Sequence, residues 1–269
     1  PEEEQSKARA KMPELPPEKR TGNFDEVELG YDTEAGTYES GRCLNCGYCC
    51  ECYQCVEACG ADAVTLETHS QRPEELELNV GSIILAPGFQ PFDPSAFETY
   101  HYADHPSIIS AMEFERILSA SGPTTGHLVR MSDHKEPKKI AWLQCVGSRD
   151  INRCDHGYCS AACCMYAIKE AVIAKEHAGD DLQCTVFFMD MRTHGKDFER
   201  YYNDAREKHG IRFVRSRVHT IDPAEESEDV IIKYADEQGN FREETFDLVV
   251  LSVGLETAPD VAALAREMD

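Results

Sequence analysis

Beyond about residue 80 the apolar positions fall into short continuous runs separated by stretches of helical spacing. Residues 140–143 (IAWL) form a run too short for a helix, which predicts a buried strand, and residues 161–175 place apolar side chains three and four apart, which predicts a helix. The pattern then repeats. Residues 184–189 (CTVFFM) predict a second strand, 198–208 a helix stopped by Gly210, and 211–214 (IRFV) a third strand. Two runs at 230–234 and 241–246 flank the turn 236–240 and predict a hairpin, after which 247–253 (DLVVLSV) returns as a buried strand ended by Gly254. Strand, helix, strand, helix, strand, hairpin, strand is the order of an α/β nucleotide-type domain with an antiparallel flap, a Rossmann-like domain over 139–269.

Upstream, residues 76–85 (LELNVGSIIL) predict a strand pair or one bent strand, and 107–119 a helical connection, both within a crossover region at 76–138. Residues 1–42 are charged and hold four of the 13 prolines, which predicts an extended lead-in, with a short helix over 32–39 (DTEAGTYE) before a cysteine segment at 43–75.

Composition narrows the chemistry. Lys+Arg 27 against Asp+Glu 50 gives a formal charge of -23, which disfavours nucleic acid and anionic membrane surfaces as partners. No apolar run approaches the ~18 residues of a membrane span, and no charged-then-apolar leader opens the chain, so a cytoplasmic protein is expected. The 13 cysteines crowd into two stretches, 43–59 and 145–164, with Cys184 apart. Adjacent pairs such as Cys49–Cys50 and Cys163–Cys164 suit disulfide geometry poorly, and a disulfide framework would spread its cysteines through a short secreted chain, so metal ligation is the expectation.

Within the first stretch, Cys49, Cys52, Cys55 and Cys59 have the bacterial ferredoxin spacing, in which turns between cysteines wrap amides around a cubane. Cys43, Cys46 and Cys59, with Cys49 or Cys50, can serve a second cluster. A zinc site on Cys43, Cys46, Cys55 and Cys59 is the alternative, and it leaves the other cysteines unexplained. In the second stretch, the loop after the first strand of a nucleotide domain should read Gly-x-Gly-x-x-Gly. It reads Cys145-Val-Gly-Ser-Arg149 instead, followed by Cys154, Cys159, Cys163 and Cys164. Cys159 and Cys163 are four apart, so the reading places both on one face of the helix start, where free N–H groups and the positive dipole end favour an anion such as a thiolate-ligated cluster. A zinc-stabilised interaction module is the weaker option.

Other residues have plainer readings. Asp190 stands where Rossmann proteins place the acid that holds a ribose, and without the glycine fingerprint it is expected to cap a loop or pair with Arg192. Phe187, Phe188, Tyr201 and Tyr202 read as core, and Cys184 as a small buried hydrophobe. Of the 10 histidines, only His156 lies inside a cysteine loop as a candidate to tune or ligate a cluster.

SIILAPGFQPFDP (82–94), MEFERIL (112–118), CVGSRD, YCSAACCMYAIKEA (158–171), FFMDMRTHGKDFERYY (187–202) and DLVVLSVGL (247–255) together resemble the HdrA family, the A-subunits of heterodisulfide reductase. GRCLNCG (41–47) is similar to the cysteine segment of the glutamate synthase small subunit. The first resemblance covers nearly the whole chain, and it implies a thioredoxin-reductase-type flavoprotein with an N-terminal ferredoxin-like iron–sulfur segment. It implies two or three [4Fe–4S] clusters: one on Cys145, Cys159, Cys163 and Cys164, the others on Cys43, Cys46, Cys49, Cys50, Cys52, Cys55 and Cys59. FAD is expected in the intact protein, with Ala86, Pro87, Gly88 and Gly254 on the two segments that cross between domains. The implied role is electron transfer in an anaerobic heterodisulfide-reductase-like complex, with flavin-based bifurcation within its scope. Implied partners are redox subunits such as hydrogenase or formate dehydrogenase, with a homodimer open. The alternative is an NADPH-dependent oxidoreductase module like the glutamate synthase small subunit, which would need glycines where this chain has cysteines.

Overall fold

The computed structural model describes residues 8–42, 60, 61, 63, 77–225 and 227–268. The cysteine segment read at 43–59 lies outside the described residues. The chain divides into two compact units, Pro1–Leu66 and Glu67–Asp269.

In the first unit, helix α1 (Thr33–Gly41) starts where the Asp32 carboxylate accepts from Ala35 N at 2.8 Å, satisfying one of the free N–H groups of the first turn. No residue of α1 is buried. The Tyr31 and Tyr38 hydroxyls donate to the carbonyls of Ala10 and Ala8, so polar ties rather than an apolar core hold this stretch.

The second unit is organised by a five-stranded parallel sheet. Its strands are β2 (Ile108–Ser110), β3 (Lys139–Val146), β4 (Gln183–Phe188), β5 (Arg212–Arg215) and β9 (Leu248–Val253), in the spatial order β2-β9-β3-β4-β5. Parallel strands are covered on both faces and so read as continuous apolar runs, which is why the IAWL and LVVLSV segments show no alternation. On one face Ile140 and Trp142 pack with Phe114 from α2 (Ala111–Leu118) and with Ala167, Ile168 and Ala171 from α4 (Cys163–Ala178). On the other, Ala141, Leu143, Phe187 and Leu251 meet an antiparallel three-stranded flap of β6 (Ile221–Pro223), β7 (Val230–Ala235) and β8 (Phe241–Phe246). Fully burying each large apolar side chain stabilises the fold by about 1.5–3 kcal/mol. Helix α5 (Phe198–Glu207) lies against α4, and Glu170, 1% exposed on α4, accepts from Trp142 Nε1 at 2.9 Å.

Three predicted elements differ. Helix α2 begins at Ala111 because Ser110 and Glu113 form a reciprocal capping box, leaving Ile108–Ser110 as the edge strand β2. Helix α4 begins at Cys163, not 161, because Ala161 adopts a left-handed φ of 58° and Ala162 is the N-cap. Residues 77–85 carry no strand, and Leu78, Val80, Ile83 and Ile84 are exposed. An apolar run forms a strand only against a partner ladder, and no described segment pairs with this one. The chain then forms β1 (Gln90–Pro91), which pairs antiparallel with β10 (Leu255–Glu256) just past Gly254, and α6 (Pro259–Glu267) follows. Among the described residues no helix is long and apolar enough to cross a membrane.

Candidate metal centre

The last residues of β3 leave the regular ladder. Leu143 faces Leu251 and Val146 faces Val253, three steps along β3 against two along β9, so one extra residue bulges out. A bulge bends its strand and re-aims a side chain. Here the residue before Val146 is Cys145, with φ 63°, and its thiol lines a small cavity at the C-terminal edge of the sheet.

The chain then makes a tight excursion. Arg149 N donates to Tyr158 O at 2.9 Å and Asp150 N to His156 O at 2.7 Å, closing a bridge around the short helix α3 (Ile151–Cys154). The loop that follows this excursion brings Cys159 to the same cavity, and α4 brings Cys163 and Cys164 at its first two positions. All four thiols are free, and two backbone amides donate toward them: Ala161 N to Cys159 Sγ and Arg192 N to Cys164 Sγ, each at 3.4 Å. Cys159 does not share a helix face with Cys163. It lies in the loop, and the left-handed turn at Ala161 rather than helical spacing brings the two together.

Burial pushes the Cys163 thiol up to about 11 and raises those of Cys145 and Cys164, and the neighbouring cysteines add to each rise. Four thiolates cannot coexist in so confined a space without a compensating cation. The donor set fits a thiolate-held iron–sulfur core, which supplies that charge. A single tetrahedral ion with bonds of ~2.3 Å would draw its sulfurs to within ~4 Å of one another. Among the described residues no three His, Cys, Asp or Glu side chains stand ready to hold a single metal ion, and the four cysteines share the lining of one cavity.

Two basic residues share the wall, Arg149 and Arg192. Arg149 Nη2 donates to Asp190 Oδ2 at 2.7 Å, whereas its Nη1 is buried with no hydrogen-bond partner. Both the Arg149 charge and the approach of its side chain to Cys145 act against the rise there. Asp190 therefore pairs with Arg149 and, at 3.5 Å, with Arg215, where the sequence pointed to Arg192. Arg149 and the two amides are the contributors that sequence reading missed. Only the proximity of Arg149 to Cys145 in the CVGSRD run hinted at it.

Cys154 stands apart from the cavity, its Sγ 3.2 Å from Asp150 O and its side chain against the flap-side core. His156 is committed elsewhere too, with Nδ1 2.9 Å from Gly147 O and Nε2 3.5 Å from Glu256. Gly254 packs behind the two serines of the cavity wall: a Cβ there would lie 2.4 Å from Ser148 Oγ, 2.9 Å from Gly147 O and 3.1 Å from Ser160 Oγ. Ala86, Pro87 and Gly88 are exposed and lead into β1, and Phe92 N donates to Gly254 O at 2.9 Å, so β1 and β10 with their flanks run side by side.

No family model matches the chain. Curated relatives do. The A-subunit of the H2:CoB-CoM heterodisulfide, ferredoxin reductase of Methanothermobacter marburgensis is 41% identical over 225 residues, covering 82% of this chain and 32% of that protein. The iron-sulfur A-subunit of the CoB–CoM heterodisulfide reductase of Methanocaldococcus jannaschii is 39% identical over 231 residues, 86% of this chain and 34% of that one. The A-subunit of the H2/formate:CoB-CoM heterodisulfide, ferredoxin reductase of Methanococcus maripaludis is 39% identical over 199 residues, 74% and 30%. The chain thus spans about a third of the length of the curated relatives it matches. Among solved structures, the sulfide:quinone oxidoreductase of Aquifex aeolicus aligns with a TM-score of 0.26 and 16% identity, over 47% of this chain and 27% of that one, a likeness too slight to carry an argument.

Proposed function

The chain belongs to the HdrA family of heterodisulfide reductase, and on that premise we propose that it is the electron-carrying part of an iron–sulfur flavoprotein oxidoreductase. The observation that carries this reading is the ring of Cys145, Cys159, Cys163 and Cys164 at the C-terminal edge of the parallel sheet. In a thioredoxin-reductase-type Rossmann domain that edge receives a nucleotide pyrophosphate, which needs close backbone approach at glycines. Here the space is lined by thiols, and the hydride-transferring alternative has no glycine loop to stand on. A [4Fe–4S] cluster held by these four residues supplies one-electron uptake and release. The chain's own part is to hold four thiolates, to donate Ala161 and Arg192 amides to two of them, and to back the cavity wall with the Ser148–Ser160 hydroxyl pair at 2.7 Å, against which Gly254 packs.

In the same reading Cys43, Cys46, Cys49, Cys50, Cys52, Cys55 and Cys59 hold one or two further clusters, and the crossing segments at Ala86–Gly88 and Gly254 edge an FAD site completed by the rest of the protein. Partner subunits deliver and withdraw electrons. The names of the relatives point to H2, formate and ferredoxin as the couples linked to such a complex. Flavin-based bifurcation belongs to that proposal.

Iron, acid-labile sulfide and zinc analysis of anaerobically purified protein tests the reading. Cys163→Ala is expected to remove about four irons per chain and leave the others in place. Zinc in place of iron and sulfide, or an iron content unchanged by Cys163→Ala, would refute it.

A further inference from the structure

We propose that Arg149 sets the reduction potential of the group held by the four thiols, as a positioning residue whose guanidinium is fixed toward the cavity by Asp190; this rests on the cluster reading above. Arg149 lines the cavity, its side chain is 22% exposed, and its backbone has a left-handed φ of 55°, a conformation that costs a non-glycine residue about 1–3 kcal/mol and persists only where the surroundings enforce it. One nitrogen, Nη2, is tied to Asp190 at 2.7 Å. The other, Nη1, is buried with no acceptor at full hydrogen-bond distance, and the side chain approaches Cys145. A buried donor left unmet costs about 1–3 kcal/mol, more when charged, so the arrangement calls for an acceptor in the cavity. The groups around it there are the sulfurs of Cys145 and its neighbours, which become hydrogen-bond acceptors as thiolates.

Asp190 supports the assignment from the other side. It lies two residues past the end of β4, the position from which dinucleotide folds hold a ribose hydroxyl. In this chain its carboxylate faces Arg149 and Arg215, and Arg149 holds it below the usual carboxylate range. The acid has been turned from gripping a nucleotide to aiming a cation. Arginine stays charged throughout the working pH range, and a fixed positive charge beside an electron acceptor stabilises its reduced, more negative form, which raises the potential. Arg192, the second arginine on the wall, contributes its backbone N–H to Cys164, so the two arginines act differently.

The test is a potentiometric titration of the whole protein, purified anaerobically and followed by electron paramagnetic resonance. Wild type is compared with Arg149→Met, Arg149→Lys and Cys163→Ala. The signal to follow is the one that Cys163→Ala abolishes. If Cys163→Ala leaves the wild-type signals and iron intact, the cluster assignment itself fails, before any Arg149 variant is considered. With that assignment standing, Arg149→Met is expected to shift the ratio of oxidised to reduced cluster at fixed potential at least about tenfold toward oxidised, ~59 mV for a one-electron couple, and Arg149→Lys to recover most of the shift. A shift below about twofold in Arg149→Met overturns the proposal. Should Arg149→Met lose the signal, its retention in Arg149→Lys supports the charge requirement. Should both lose it, Arg149→Gln, which keeps a donor and removes the charge, decides: a lowered potential supports the proposal, and an unshifted one or a lost signal overturns it.

Discussion

The body of β3 and its C-terminal end are consecutive in sequence and opposite in character. Residues 140–143 are at most 2% exposed, paired on both sides, and regular. Residues 144–149 bulge, adopt left-handed φ at Cys145 and Arg149, and hold three buried side-chain atoms without a partner, both amide atoms of Gln144 and Nη1 of Arg149. Strain and unmet polar groups persist only where the surrounding structure over-determines them. The difference teaches that the packed body supplies the stability on which the irregular end depends, and that the end is where chemistry is to be sought.

The largest blow to that comparison is Trp142→Ala. The side chain is fully buried, meets Phe114 edge-on at 5.4 Å and donates to Glu170, so its removal leaves both a cavity and a buried carboxyl without its donor. A loss of about 3–5 kcal/mol is expected in denaturant unfolding, with the central iron lost along with the fold. Cys163→Ala, by contrast, is expected to lose the iron and keep the fold. If Trp142→Ala unfolds no more easily than Cys163→Ala, the division between supporting body and functional end is wrong.

A subtler probe is Glu170→Gln. Burial holds the Glu170 carboxyl well above its ordinary 4.5, and the Trp142 bond opposes that only in part. The folded state therefore keeps its proton after the unfolded chain has released its own. Stability from this group is full below pH 4.5 and declines as pH rises from there toward the folded value. Gln offers the same acceptor to Trp142 and does not titrate. Its urea midpoint should match wild type in acid and exceed it increasingly above pH 4.5, and parallel pH profiles would show that Glu170 is not neutral in the fold.

The smallest effect sharpens the contrast between two kinds of buried cysteine. Cys184, in the body of β4, is 3% exposed, and burial pushes its thiol up to about 12. Its Sγ reaches only Ala171 O, at 3.8 Å. Cys184→Ala is expected to cost about 1 kcal/mol and to leave the iron content unchanged. Iron loss in that variant would mean that burial alone does not separate ligands from packing.

The sheet was legible because its order follows from local pattern: continuous apolar runs for β3, β4 and β9, helical spacing between them, and a turn-centred hairpin. The site was legible in its donors but not in its geometry. Nothing local announces that Cys145 sits on a bulge, because register belongs to the pairing with β9, about a hundred residues away. Ala161 carries no signal for a left-handed turn, so the spacing alone puts Cys159 on a helix that begins only at Cys163. The partner of Asp190 is 41 residues away in sequence, beyond any spacing rule. At 77–85 the apolar pattern is real, but a strand is a property of two segments and no described partner is present.

The pairing of β1 with β10 has a topological consequence. The chain enters the sheet module at Gln90–Pro91 and leaves it at Leu255–Glu256, on neighbouring rungs of one antiparallel ladder, about 5 Å apart. Everything between, including the thiol ring, is a closed excursion with its entrance and exit in the same doorway. Such a module can be set into a host domain without moving the host's own ends apart, and any rotation of the module turns about that two-stranded ribbon. The ribbon connects directly to Gly254, which packs against Ser148 and Ser160 of the cavity wall, so motion at the doorway bears on the thiol site itself.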